Sequence, residues 1–418
     1  MRLRFLADDF TGASDVLLQC RRNGMEAAIV QEENLADQST GFNGIATAAR
    51  SLDSTELESF LRDKLPLFMQ PPTDVVLYKI CSTFDSSPTT GSIGLAVRLI
   101  RELLSPDIPV VVVPAQPGFG RYTVFGNHFA VAGGDVFRLD RHPVMSQHPS
   151  TPMHESDLRQ LLHQQGVATE ALTHVDLLAL RQGDDLPALL TRPKLEAIIV
   201  DTLEETDLDL VATALIDRAQ SAAHPVVVVG SGGIAGALSR QLTDGRSIPR
   251  TSFAPGPTLV LSGSRSPITQ AQIAYVTDLG WRTVAVDLAT MEQGAEAFFS
   301  VAQLDHTLSA DQNLVIRVEE DADVDPAQLA QASGSFYADL ITLALHHHPS
   351  TRIAVLGGDT SSWTVTSLHP RQIRVAADFV QAGPILSFTA DAVPTSTPIL
   401  LKGGQVGKPT TLSDFSVF

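Results

Sequence analysis

A chain of 418 residues exceeds one ordinary hydrophobic core and suits two domains of roughly 200 residues each. A formal charge of −18 and a pI near 5.0 argue against nucleic acid and anionic membranes as partners, because binding either depends on a cationic surface. No apolar run approaches the ~20 residues of a membrane helix, and the run at residues 3–7 is too short for a signal peptide, so a cytoplasmic protein with reduced thiols at Cys20 and Cys81 is expected.

The first strand should end near Leu6, followed by Ala7-Asp8-Asp9-Phe10-Thr11-Gly12-Ala13-Ser14-Asp15. Ligands of open α/β sheets gather beyond the carboxyl ends of strands, and folding alone poorly explains two carboxylates, a hydroxyl and a glycine there. Gly12 would allow a tight turn, and Ser14 or Asp15 would cap a helix whose apolar face is Val16, Leu17 and Cys20. A second strand-like run at residues 45–50 ends in Arg50, a residue able to clamp a carboxylate at two points.

Next comes a β-branched run at residues 75–79, then Ile80-Cys81-Ser82-Thr83-Phe84-Asp85-Ser86-Ser87. Ser82, Thr83 and Asp85 could hydrogen-bond a polyhydroxylated ligand, with Lys79 supplying charge. Further buried strands are expected at residues 110–113, 197–200 and 226–229. The last of these leads into Gly230-Ser231-Gly232-Gly233-Ile234-Ala235-Gly236. A dinucleotide fingerprint belongs in an early βαβ unit with an acid about 20 residues on, whereas this chain runs into Arg246, Pro249 and Arg250. Close helix packing, or backbone N–H groups lining a cleft, is the better reading of those glycines.

A Pro/Gly-rich stretch at residues 246–257 marks the domain boundary, after which strands are expected at residues 258–261, 283–286, 314–318, 353–356 and 399–401. Helices are expected at residues 268–279 and 327–345, and His346-His347-His348 should end the second rather than bind metal. Two strand ends suit phosphate: Ser262-Gly263-Ser264-Arg265-Ser266-Pro267 and Gly357-Gly358-Asp359-Thr360-Ser361. Neither is a Walker A loop. Lys402-Gly403-Gly404 follows the last strand and could close over a nucleotide or form a simple turn.

In order and spacing these segments resemble the four-carbon acid sugar kinases. The resemblance rests on residues 7–15, on Lys79 to Ser86, close to the Cys-Ser-Thr-Phe-Asp-Ser form of the 3-oxo-tetronate kinase branch, on His148-Pro149-Ser150-Thr151-Pro152-Met153, and on residues 261–264, 357–361 and 401–407. It implies an α/β protein of two domains, each with a largely parallel sheet flanked by helices, and an active site in the inter-domain cleft. Residues 1–245 would bind a sugar acid, residues 246–257 would link, and residues 258–418 would bind nucleotide. The implied reaction is ATP-dependent phosphorylation of the terminal hydroxyl of 3-oxo-tetronate, threonate or erythronate, with Mg²⁺ as cofactor through unassigned ligands.

Carried over residue by residue, Asp8 and Asp9 are catalytic; Arg50, Lys79, Ser82, Thr83 and Asp85 bind substrate; Ser264, Gly357, Gly358, Asp359, Thr360 and Gly403 bind ATP. The expected partners are a small-molecule sugar acid and ATP, with neither nucleic acid nor membrane, and a homodimer is allowed for. The chain departs from its relatives at Ala382-Gly383-Pro384-Ile385, where they carry Pro-Gly-Val-Pro, and at Lys402-Gly403-Gly404-Gln405-Val406-Gly407, where they carry Lys-Ser-Gly-Asn-Phe-Gly. Those changes motivate an alternative, a catalytically silent sugar-acid sensor. A phosphatase of the haloacid dehalogenase type would need Asp-x-Asp, and here the acids are adjacent.

Overall fold

Runs of four or five β-branched and aliphatic residues with no polar alternation build several of the parallel strands, as expected where both faces of a parallel sheet are covered. Val110–Val113 and Ala197–Val200 are buried at every position. The computed structural model describes the whole chain except residues 39, 70–72, 104–107, 149, 184, 193, 247, 250, 300–307, 309–311, 320–325, 381–382 and 405. Pro149, Arg250, Ala382 and Gln405 of the motifs above, and Ser247 of the linker, lie outside the described residues.

In chain order the strands are β1 (Leu3–Ala7), β2 (Ala27–Val30), β3 (Phe42–Ala46), β4 (Val75–Lys79), β5 (Val110–Val113), β6 (Arg121–Val124), β7 (Asn127–Ala132), β8 (Asp135–Arg138) and β9 (Leu172–Val175). They continue with β10 (Ala197–Val200), β11 (Val226–Gly230), β12 (Thr258–Ser262), β13 (Arg282–Val286), β14 (Leu314–Val318), β15 (Arg352–Leu356), β16 (Gln372–Val380), β17 (Gly383–Thr389) and β18 (Ile399–Lys402). Two compact units divide at Ile248 and Pro249, and Ala28–Leu35 belongs with the second unit.

The first unit holds parallel strands in the order β3-β1-β4-β11-β5-β10-β9. From β1 the chain places β3 on one side and β4 on the other, which makes the carboxyl ends of these three strands a switch point, where open sheets leave a crevice. A separate antiparallel sheet, β6-β7-β8, was not anticipated from sequence. Its strands are short and half exposed, and polar residues such as Arg121, Asn127, His128, Asp135 and Arg138 break their apolar pattern.

Parallel strands in the order β13-β14-β12-β15-β18 begin the second unit, and antiparallel β17, β16 and β2 complete it. Its switch point lies between β12 and β15. Strand β2 pairs with β16 through Gln372 with Val30 and Ile373 with Ile29, so an early segment of the chain completes the second unit's sheet. Val260, Val315, Ala354, Leu400 and Phe415 are fully buried in its core.

Two local expectations are corrected. The run at residues 45–50 is not one strand: β3 stops at Ala46 because the Thr47 hydroxyl donates to Ala7 O at 2.7 Å, and Arg50 sits in the single 3-10 turn Ala49–Ser51. Gly12 lies inside the helix Phe10–Arg22 rather than in a turn, and the cap is Asp9, neither Ser14 nor Asp15. Asp15 is drawn elsewhere, accepting from Gln116 Nε2 at 3.0 Å and Gln19 Nε2 at 3.0 Å.

Candidate functional site

Three strand ends of the first unit meet at its switch point. Asp8 and Asp9 follow β1, Arg50 follows β3, and Lys79 ends β4 in register with Ala7. Asp9 adopts extended backbone, φ −145° and ψ 163°, and its Oδ1 accepts from Gly12 N at 2.7 Å. Asp8 is 4% exposed. Both of its oxygens are held by Arg50, Nε to Oδ2 at 3.1 Å and NH2 to Oδ1 at 2.7 Å, and the same NH2 reaches Asp9 Oδ1 at 2.8 Å. Burial pushes the Asp8 carboxyl up, with the Arg50 guanidinium opposing and the Asp9 carboxylate adding to the push. Burial also works against the Arg50 charge, yet Asp8 and Asp9 hold that guanidinium well above its ordinary value.

Gly12 is required by this crowding. A Cβ there would stand 2.4 Å from Asp9 Oδ1 and 2.9 Å from Lys79 Nζ. Lys79 is buried and donates to Ile80 O at 2.7 Å. The cluster therefore concentrates two carboxylates against two cations. Arg50 NH1 and Asp9 Oδ2 have no hydrogen-bond partner among the described residues.

The turn after β4 is fixed by the small sheet and by the 145–153 loop. His128, fully buried, donates from Nε2 to Ser82 O at 2.8 Å and lies 2.9 Å from Thr123 Oγ1 through Nδ1. A ring that donates at Nε2 while neutral must accept at Nδ1. Burial brings its pKa down to about 4. The Thr83 hydroxyl lies 3.0 Å from Cys81 Sγ, and Thr151 Oγ1 donates to Asp85 Oδ1 while lying 2.8 Å from His148 Nδ1. Phe84 takes φ +56°, a left-handed value that reverses the chain between Thr83 and Asp85.

The glycines after β11 are closely packed. A Cβ on Gly232 would lie 2.0 Å from Asp15 Oδ2, and one on Gly233 2.6 Å from Ala115 O. They serve close packing of the helix Gly232–Leu242.

At the second unit's switch point a cavity of about 320 Å³ opens, within the range of small-ligand sites. Gly263, Ser264 and Arg265 follow β12; Glu319 follows β14; Gly357, Gly358, Asp359 and Thr360 follow β15; Gly404 follows β18. Arg317 and Ser333 complete its polar lining, and Leu329 and Ala330 supply an apolar side. The turns interlock closely. Gly357, at φ +119°, donates its N–H to Lys402 O at 2.9 Å, and a Cβ on Gly263 would meet Thr360 Oγ1 at 2.1 Å. The helix Gly358–Leu368 begins at the cavity, so its free N–H groups and positive dipole end favour an anion there.

Comparison with known proteins adds the decisive observation. Residues 3–238 match the sugar-binding N-terminal domain and residues 259–412 the nucleotide-binding C-terminal domain of one protein family. The chain belongs to the four-carbon acid sugar kinase family. Membership makes this sugar kinase homologue an enzyme of the phosphotransferase class. It is 29% identical to a 3-oxo-isoapionate kinase of Paraburkholderia graminis over 98% of this chain and 92% of the relative. It is 28% identical to a 3-oxo-tetronate kinase of Cupriavidus necator over 97% of this chain and 94% of that relative. Solved structures of proteins from Salmonella typhimurium and Haemophilus influenzae share its fold at TM-scores of 0.78 and 0.73, each 24% identical; they cover 99% and 100% of this chain, which in turn covers 98% and 100% of theirs.

Within the kinase fold, Asp8, Asp9, Arg50 and Lys79 form one cluster, whereas no hydrogen bond among the described residues joins Ser82, Thr83 or Asp85 to that cluster. Ser264, Gly357, Gly358, Asp359 and Thr360 line one cavity. Gly403 is not in its lining; the neighbouring Gly404 is, and Gly403 O accepts from Lys402 Nζ at 3.0 Å. Arg317, Glu319 and Ser333 were missed, since they reach the cavity from distant segments with no local motif. No helix among the described residues is long and apolar enough to cross a membrane.

Proposed function

We propose that the chain is an ATP-dependent kinase that moves the γ-phosphoryl group to the terminal hydroxyl of a 3-oxo sugar acid of the tetronate type. The observation that carries this reading is the cavity at the β12/β15 switch point, lined by Gly263, Ser264, Gly357, Gly358 and Thr360 together with Arg265 and Arg317, in the half that matches a nucleotide-binding domain. Phosphoryl transfer needs positioning and charge neutralisation more than covalent chemistry by the protein. Asp359 and Glu319 are the carboxylates of the cavity, a donor set that suits Mg²⁺, which binds through one or two carboxylates and the phosphates themselves. Bound there, Mg²⁺ would offset phosphate charge.

Asp9 is our choice for the base that orients the acceptor hydroxyl. Its side chain is 23% exposed against 5% for Asp8, and its Oδ2 is uncommitted. Asp8 then acts through Arg50, holding the guanidinium so that NH1 is left for the substrate carboxylate. Lys79 offsets the negative charge that accumulates when a sugar acid enters beside two aspartates. Ser82, Thr83 and Asp85 are assigned to the acceptor's hydroxyl groups. Free thiols at Cys20 and Cys81 favour a reducing cytoplasmic setting.

The test is to incubate the protein with MgATP and each of 3-oxo-tetronate, threonate and erythronate, following ADP release and the ³¹P signal of a phosphomonoester. A terminal phosphate on one of these acids is expected. Sugar-acid binding without any phosphorylated product would replace the kinase with a sensor.

A further inference from the structure

Each unit buries one lysine at the carboxyl end of a strand, and the two are compensated differently. Lys79 has no carboxylate within 4.0 Å among the described residues either, but it faces Asp9 across Gly12 and its charge favours ionised Asp8. Lys402, which ends β18, is 1% exposed, and among the described residues no carboxylate comes within 4.0 Å of it. Its Nζ donates to Gly403 O at 3.0 Å and to Thr269 Oγ1 at 3.3 Å, both neutral, and its third N–H has no acceptor among the described residues. An ammonium buried without a counter-charge is costly and is retained only where something compensates it.

The surroundings say where the compensation comes from. Thr269 Oγ1 donates to Gly404 O at 3.0 Å and accepts from the Ser264 hydroxyl at 3.2 Å. Ser264 and Gly404 line the anion cavity, which puts Lys402 two hydrogen bonds from its wall, through Thr269. A second observation points to a missing ligand: Ser262, 2% exposed and part of the same lining, has a buried Oγ with no partner. We propose that Lys402 is a positioning residue whose counter-charge is the polyphosphate of the bound nucleotide, so that nucleotide binding draws a proton onto its amine. This rests on the kinase reading above.

The elements packed against Lys402 carry few titratable groups, and among the described residues none of their carboxylates pairs with it. Strand β15 carries Arg352 at its far end, β17 carries no titratable group, the helix Gly358–Leu368 carries Asp359, and the helix Pro267–Asp278 carries Tyr275 and Asp278. The next charge on its own segment is Lys408. Burial alone acts on the amine and brings it to about 8.

Calorimetry of MgADP binding to the full chain at pH 8, in two buffers of different ionisation enthalpy, tests the proposal. Wild type should take up about half a proton per nucleotide, and its affinity should fall several-fold between pH 7 and pH 9. Lys402→Met should take up none, bind at least ten-fold more weakly, and melt at a higher temperature when free, because an uncompensated charge has gone. Lys402→Arg keeps the charge at every pH and should lose the pH dependence, an arm that stands even if the methionine variant fails to fold. Proton uptake equal in wild type and Lys402→Arg, or wild-type affinity in Lys402→Met, overturns the proposal. No binding of MgADP to wild type overturns the nucleotide reading, and this inference with it.

Discussion

Arg50 holds Asp8 at two points, from Nε to Oδ2 at 3.1 Å and from NH2 to Oδ1 at 2.7 Å, and spends the same NH2 on Asp9 at 2.8 Å. The two aspartates therefore differ in what they can lose. Asn caps helices as well as Asp does, so Asp9→Asn should cost under about 1 kcal/mol of stability while lowering kcat on the order of 10²-fold or more. Asp8→Asn removes a buried ion-pair partner, with an expected loss on the order of 3 kcal/mol and a raised KM for the sugar acid. Urea unfolding together with sugar-acid phosphorylation kinetics separates the two effects. Full activity in both variants would remove the aspartates from the mechanism.

His128 makes the turn after β4 sensitive to acid. Its pKa falls from 6.5 to about 4 on burial, so the folded protein prefers the neutral ring. The sign follows directly. This contribution is fully present above pH 6.5 and is lost as pH falls toward 4, amounting to roughly 3 kcal/mol across that window. A protonated Nδ1 can no longer accept from Thr123, whereas the bond to Ser82 O favours the charged ring and opposes only part of the burial effect. Unfolding free energy measured at pH 7 and pH 5 should therefore fall more steeply in wild type than in His128→Gln, which has no proton to gain. Equal slopes would mean that another group controls the acid limb.

Thr151 couples the 145–153 loop to Asp85, its hydroxyl donating to Oδ1. Thr151→Val keeps the shape and deletes the donor, leaving a carboxylate that is 13% exposed short of one partner. The expected cost is about 1–3 kcal/mol, with KM for the sugar acid rising and nucleotide affinity unchanged. Thr151→Ser should restore the wild-type KM. A change in nucleotide affinity instead would contradict the assignment of Asp85 to the acceptor side.

Legibility in the sequence followed burial. Strands β5 and β10 could be read to the residue because both faces are covered and nothing interrupts their aliphatic runs, and β4 and β14 because each opens on three buried aliphatic residues. The antiparallel half of the second sheet could not. Strand β16 slips register between Val375 and Ala377 and again before Val380, which destroys the alternation a half-exposed strand would show, and β17 opens on Gly383 and Pro384. Asp8, Asp9 and the Gly357 turn stood out because local chemistry at a strand end is visible without the fold. Ser262, Arg317 and Ser333 were invisible as a group, since only the strand order brings them to one cavity. Lys402 was read as part of a turn, because sequence carries no sign that a lysine lacks a counter-charge.

Two glycines of the cavity separate packing from binding. A Cβ on Gly263 would meet Thr360 Oγ1 at 2.1 Å, and Thr360 is 3% exposed with no room to withdraw. Gly358 faces open space, with nothing within 4 Å of its added Cβ. Gly263→Ala should therefore cost about 1–3 kcal/mol in the free protein by overpacking, and weaken nucleotide binding by disturbing the β12 and β15 turns together. Gly358→Ala should melt like wild type, because the methyl group enters only the cavity, yet it should weaken nucleotide binding by occupying space that a phosphate needs. Thermal melts and nucleotide titrations of the two variants test the pair, with sugar-acid affinity expected at the wild-type value in both. Nucleotide affinity unchanged in Gly358→Ala would move the phosphates away from the start of the helix Gly358–Leu368, and with them the assignment of Gly357 and Asp359.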